Sequence, residues 1–205
     1  MKKILIIIAI IAISLTTMAQ ENCKINELTF SNEQMDNSLK FNFIAPLTGY
    51  TSFSFEKYLK PGLNWEVGVG FIGFGLNNQK ERNPYGANIS AGLKIFHQNR
   101  ISKSFWNNSY IMPELQISIY NERQYNYYVY PNERRNVCAV ALMATFGKEV
   151  IYRNLFLVDW FFSIGYSYST TGYDDYYFGF LGGGEEFPIS FMGGLKIGYI
   201  FGNKK

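Results

Sequence analysis

From Leu39 to Phe201, large apolar residues alternate with small or polar ones at a period of two, the spacing of strands that show one face to an apolar medium. Strands are expected near 39–46, 50–59, 64–75, 87–97, 109–120, 137–147, 154–168 and 188–201. In the last of these Ile189, Phe191, Leu195, Ile197, Tyr199 and Phe201 share one face, and Ser190, Met192, Gly194, Lys196 and Gly198 share the other. The third sets Trp65, Val67, Val69 and Phe71 against Glu66, Gly68 and Gly70, and the fourth sets Ile89, Leu93 and Ile95 against Asn88, Ser90 and Lys94. The seventh is less regular, because Leu157 and Phe161 fall among Asp159, Ser163, Gly165 and Ser167. Pro113 lies inside the fifth, where a closed sheet has no edge for its missing N–H, so a bulge or a later strand start is expected there.

The connections alternate in length. Lys60-Pro61-Gly62-Leu63 is a tight turn and 148–153 is short, although 98–108 is longer. On the other side Pro46-Leu47-Thr48-Gly49 is followed by progressively longer segments at 76–86, 121–136 and 169–187. Long loops at one end and short turns at the other are the habit of a membrane barrel whose N-terminus lies in the periplasm.

The N-terminal segment belongs to export. Met1, Lys2 and Lys3 precede an apolar run from Ile4 to Leu15, and Thr17-Met18-Ala19 supplies the small residues of a cleavage site. Residues 1–20 are therefore expected to be a signal peptide cut after Ala19 or Gln20, 21–38 a polar periplasmic leader, 39–201 the barrel and 202–205 a polar tail. Cys23 stands too far from the cleavage site for a lipid anchor, and it falls at the opposite end of the expected barrel from Cys138. Sixteen Tyr, 18 Phe and 19 Gly accompany a charged fraction of only 17%. No run after the signal is long enough for a spanning helix. Without Lys2 and Lys3 the net charge of +3 falls close to zero, which argues against nucleic acid as a partner.

A soluble sandwich would alternate in the same way with its apolar face inward. Here the smaller face is rich in Gly and Ser with single charges at mid-strand, which suits the inside of a narrow barrel. Lys40, Glu56, Glu66, Lys94, Glu114, Asp159 and Lys196 are expected to meet there as a lumen charge network, since isolated buried ions cost several kcal/mol each. Tyr125, Tyr127, Tyr128 and Tyr130 in one outer loop, with Tyr173, Tyr176 and Tyr177 in the next, form a candidate contact surface. Asp174, Asp175, Glu185 and Glu186 read as a solvated loop. His97 is the only histidine and closes the fourth strand at the periplasmic rim, away from outer-leaflet lipid. No catalytic set, metal cluster or cofactor motif is read.

Leu39-Lys40-Phe41-Asn42-Phe43, Ser54-Phe55-Glu56-Lys57, Met112-Pro113-Glu114-Leu115 and Gly193-Gly194-Leu195-Lys196-Ile197-Gly198-Tyr199 carry the pattern on which the chain resembles the small bacterial outer-membrane β-barrel families, porin-like eight-stranded barrels many of which have no assigned activity. The resemblance implies an all-β, closed, antiparallel up-and-down transmembrane barrel in the outer membrane. Its implied partners are outer-membrane lipid, lipopolysaccharide, the barrel-assembly machinery and an extracellular ligand at the loops. Phe201 stands in for a terminal aromatic residue, ahead of Gly202-Asn203-Lys204-Lys205. The expected role is structural or surface-interacting and not enzymatic. A lipid-modifying enzyme and a secreted lipocalin-like carrier are the alternatives, and the second depends on where the aromatic face points.

Overall fold

A computed structural model describes residues 37–76, 83–97, 108–123, 134–152, 155–170, 176–177, 180–182 and 188–202. The strands are β1 (Asn37–Asn42), β2 (Tyr50–Lys60), β3 (Leu63–Ile72), β4 (Tyr85–Phe96), β5 (Ser109–Arg123), β6 (Arg134–Tyr152), β7 (Phe156–Ser169), β8 (Tyr176–Tyr177), β9 (Phe180–Gly182) and β10 (Ile189–Phe201). Each of β1 to β6 pairs antiparallel with the next, β7 pairs with β10, and β10 pairs with β1. The sheet therefore closes into a barrel of eight strands, and β8 and β9 form a short hairpin beside the start of β10.

The register sets the width. Lys40 lies opposite Ser54, and successive partners lead through Gly68, Ser90, Gln116 and Ala141 to Ser167, whose N–H donates to the Pro188 carbonyl. The partner of Lys40 on β10 is Gly198, ten residues beyond Pro188. With eight strands, that stagger tilts them by roughly 40° and leaves an interior just wide enough for side chains.

All eight expected strands are present, with three changes. β1 ends at Asn42, earlier than the expected 46. Asn42 Oδ1 accepts from the N–H groups of Ile44 and Ala45, and Ala45–Thr48 forms a 3-10 turn closed by Gly49 at φ 91°. β6 runs on to Tyr152, so 148–152 is strand where a turn was expected, and the Leu155 N–H donates to the Tyr152 carbonyl. The expected loop 169–187 contains β8 and β9. At the other short turn Lys60 pairs with Leu63 across Pro61 and Gly62, where Gly62 supplies the positive φ (78°) that the turn requires.

Neither a bulge nor a late start accommodates Pro113. The ladder to β6 is continuous through Pro113↔Ala144. On the β4 side the pairs expected at Leu93 and Lys94 are missing, while the register is the same at Gly92↔Glu114 and Ile95↔Ile111. The ring points outward, and the missing donor costs a local break in one ladder.

The faces sort by size and polarity. Leu39, Ile89, Leu142, Phe162, Tyr168 and Tyr199 are among many large apolar side chains exposed on the outside, with Leu142 at 63%. The inside is buried and mainly polar. Leu157 and Phe161 do turn inward, each over a glycine of β10: a Cβ on Gly194 would lie 2.7 Å from the Phe161 ring, and one on Gly198 would lie 2.9 Å from Leu157. Across this pair of strands, bulk on β7 is matched by its absence on β10.

Candidate functional site in the barrel lumen

Each of the eight barrel strands contributes one member to a ring of interacting side chains inside the barrel. In chain order they are Lys40, Glu56, Glu66, Lys94, Tyr110, Glu149, Asp159 and Lys196. Strand alternation turns each of them inward, and Lys94 and Asp159 are fully buried.

Two like-charged pairs form its walls. Glu56 sits directly opposite Glu66 on β2 and β3, and Glu149 directly opposite Asp159 on β6 and β7. Like charges in such positions repel unless cations intervene. Lys40 and Lys94 provide them. Lys40 Nζ contacts Glu56, and it lies 3.4 Å from Glu66, 2.7 Å from Glu149 and 3.1 Å from Asp159. Lys94 Nζ reaches the same four carboxylates at 3.0, 2.9, 3.2 and 2.7 Å respectively. The same oxygen of each acid faces both ammonium groups, so four oxygens bridge two cations.

The outer oxygens are held by other donors. Asn64 Nδ2 donates to Glu56 Oε1 at 2.5 Å, Lys196 Nζ to Glu66 Oε1 at 2.5 Å, and the Tyr110 hydroxyl to Asp159 Oδ1 at 2.7 Å. Two rings also face cations, Tyr110 beneath Lys94 (4.2 Å) and Phe161 beneath Lys196 (4.6 Å). Gly147 makes room for Tyr110, since a Cβ there would lie 2.4 Å from the phenol oxygen. Chemically this is a compact set of four carboxylates on three ammonium groups, each carboxylate engaged on both oxygens or between two ammonium groups.

Of the seven charges expected in the lumen, six meet in this ring. Glu114 is also inside but stands apart, accepting from Thr145 Oγ1 at 3.1 Å, with Thr145 Oγ1 in turn 2.7 Å from Ser163 Oγ. Beyond it Asn88 Nδ2 donates to Ser118 Oγ, and Ser190 hydrogen-bonds Ser167. Ala45, Tyr50, Ile72, Tyr120 and Val137 form an apolar cluster at the Tyr50 end. Glu149 and Tyr110 were not anticipated. Glu149 falls in a segment whose polar residues read as a turn, although it shares parity with Thr145 and Gly147, and Tyr110 shares parity with Met112 and Glu114. An unanticipated ion pair, Glu122 with Arg135, lies directly across β5 and β6 at 2.7 Å.

Tyr125, Tyr127, Tyr128, Tyr130 and Tyr173 lie outside the described residues, as do residues 1–36 with Cys23 and the expected signal peptide. Tyr176 and Tyr177 make up β8. Cys138 is a half-buried free thiol on the outward parity of β6. His97 follows β4 and is exposed, and no described side chain bonds its ring. A concavity of about 810 Å³ lies against Ile95, Ile111, Phe146, Trp160 and Phe162, and none of the ring's carboxylates lines it. No protein-family model matches the chain, and a search of curated proteins returns no significant relative.

Proposed function

We propose that the protein is an outer-membrane barrel whose role is structural or surface-interacting, with a lumen plugged by its own ionic ring. The observation that carries this reading is the inversion of the usual arrangement: large apolar side chains such as Leu142, Phe162 and Tyr168 point out around a closed sheet, while Lys40, Lys94 and their four acids are buried within. In water that outer face would be a large unpaired apolar surface, far beyond the few hundred Å² a soluble monomer ordinarily exposes. In a bilayer it meets acyl chains, and closure of the sheet removes the free edges whose unpaired backbone groups a bilayer does not tolerate. A carrier would enclose its aromatic side chains around a ligand, so the outward aromatic face speaks against that alternative.

On this reading outer-membrane lipid and lipopolysaccharide surround the barrel, and the assembly machinery inserts it after export through residues 1–20. The outer loops that carry Tyr125, Tyr127, Tyr128, Tyr130, Tyr173, Tyr176 and Tyr177 are the contact surface for an extracellular ligand. The ring supports a plug because eight side chains from eight strands converge at one level of an interior only wide enough to be filled. Fractionation of cells expressing the full-length chain, followed by gel mobility with and without boiling, tests the reading. Outer-membrane recovery with a heat-dependent shift is expected. Recovery as a soluble protein without a shift would overturn it.

A further inference from the structure

A cavity of about 30 Å³ lies within the lumen, next to Lys196 of the ionic ring. Roughly 10–15 Å³ suffices for one water-sized occupant. Ser54, Glu114 and Gln116 all line it. Ser54 Oγ and Gln116 Oε1 are buried without any hydrogen-bond partner, in side chains 8% and 2% exposed. The Gln116 amide nitrogen is turned to Met192 Sδ at 3.6 Å, which leaves its oxygen for the cavity. Glu114, 4% exposed, accepts one hydrogen bond from Thr145 and makes no ion pair among the described residues.

Two orphaned oxygens lining the same cavity as a carboxylate that has no counter-ion among the described residues make up a hard donor set of hydroxyl, amide carbonyl and carboxylate. The charge balance points the same way. Lys40, Lys94 and Lys196 face five lumen acids, Glu56, Glu66, Glu114, Glu149 and Asp159, a sixth, Glu122, being paired with Arg135. One carboxylate at the cavity matches one positive charge better than two. Lys196 also borders the cavity, but its ammonium is engaged by Glu66 Oε1 and the Phe161 ring, so it does not serve Glu114.

We propose that this cavity binds a monovalent cation of about sodium's size, with Glu114, Gln116 Oε1 and Ser54 Oγ as its protein ligands. The site depends on the lumen geometry and not on the surface role proposed above. A failure of the fractionation experiment would therefore leave it standing.

The test uses the full chain folded in detergent micelles, melted in rising sodium chloride and, separately, in choline chloride of equal ionic strength. Choline is too large for the cavity. A saturable rise of about 5 °C is expected in sodium alone, the shift produced by an ion well above its dissociation constant. Glu114→Gln should abolish the rise, and Ser54→Ala, a smaller change that keeps the barrel intact, should raise the half-saturating sodium concentration about tenfold. Thallium(I) soaked into crystals should give an anomalous peak among the three oxygens. Equal melting in the two salts would mean that the cavity holds water alone, and would overturn the proposal. A sodium effect unchanged in Ser54→Ala would place the ion elsewhere and overturn the assignment of its ligands.

Discussion

Replacing Lys94 with methionine keeps the volume of the side chain and removes one of the two cations that separate the carboxylate pairs. Its ammonium lies 2.7 to 3.2 Å from four acids. At an effective dielectric constant of about 20, one such contact near 3 Å is worth roughly 5–6 kcal/mol before desolvation. Desolvating the ions offsets much of that sum, so the intact network adds far less than four such contacts. Its removal is a different matter. In Lys94→Met, Lys40 and Lys196 alone must balance Glu56, Glu66, Glu149 and Asp159, and the two like-charged pairs lose one of the two cations that bridge them. A loss of about 3–5 kcal/mol is expected, the scale for leaving a buried charge uncompensated. Glu149→Gln in the same chain restores the former balance of charges and should recover about 1–3 kcal/mol relative to the sum of the single changes. Urea unfolding of the barrel in micelles, read by tryptophan fluorescence and gel mobility, measures both quantities. A single-variant loss below about 1 kcal/mol, or strict additivity in the double variant, would refute the account of Lys94 as a shared bridge.

Two further outcomes follow from the geometry. Gly147→Ala sets a methyl group against the Tyr110 phenol and should force it off Asp159, costing about 1–3 kcal/mol. That cost should shrink in a Tyr110→Leu background, and a cost that persists there would deny the contact, as the same urea titrations would reveal. Leu142→Arg tests the outer face near the middle of β6. A penalty of roughly 2–4 kcal/mol for folding into lipid vesicles is expected at a bilayer midplane. A change near zero would indicate that this face meets water.

The strand count and the sorting of faces could be read because alternation is a local property. Once Leu39, Phe41 and Phe43 point one way, Lys40 and Asn42 must point the other. The same parity rule placed Lys40, Glu56, Glu66, Lys94, Glu114, Asp159 and Lys196 inside, and all seven are buried there. It would have placed Glu149 as well, but the polar pair Lys148-Glu149 suggests a turn when judged over a few residues. The pairing of β6 with β7 from Ala139↔Ser169 to Tyr152↔Phe156 makes it strand. Leu157 and Phe161 appeared as faults in the pattern for a similar reason. Their justification lies in Gly198 and Gly194, more than thirty residues away in the chain.

The sequence by itself therefore determined the period, the eight barrel strands and the shared face of seven charges, while closure of the sheet decided which face turns outward. Only the tertiary structure decided which charges meet. Contact across the lumen depends on the ten-residue stagger around the barrel, which is the sum of eight registers and is written in no single strand. That sum brings Lys40 and Lys94 between two pairs of acids and leaves Glu114 apart, beside a cavity with two unpartnered oxygens. Alternation states which side of the wall a residue occupies, and only closure of the wall sets its height.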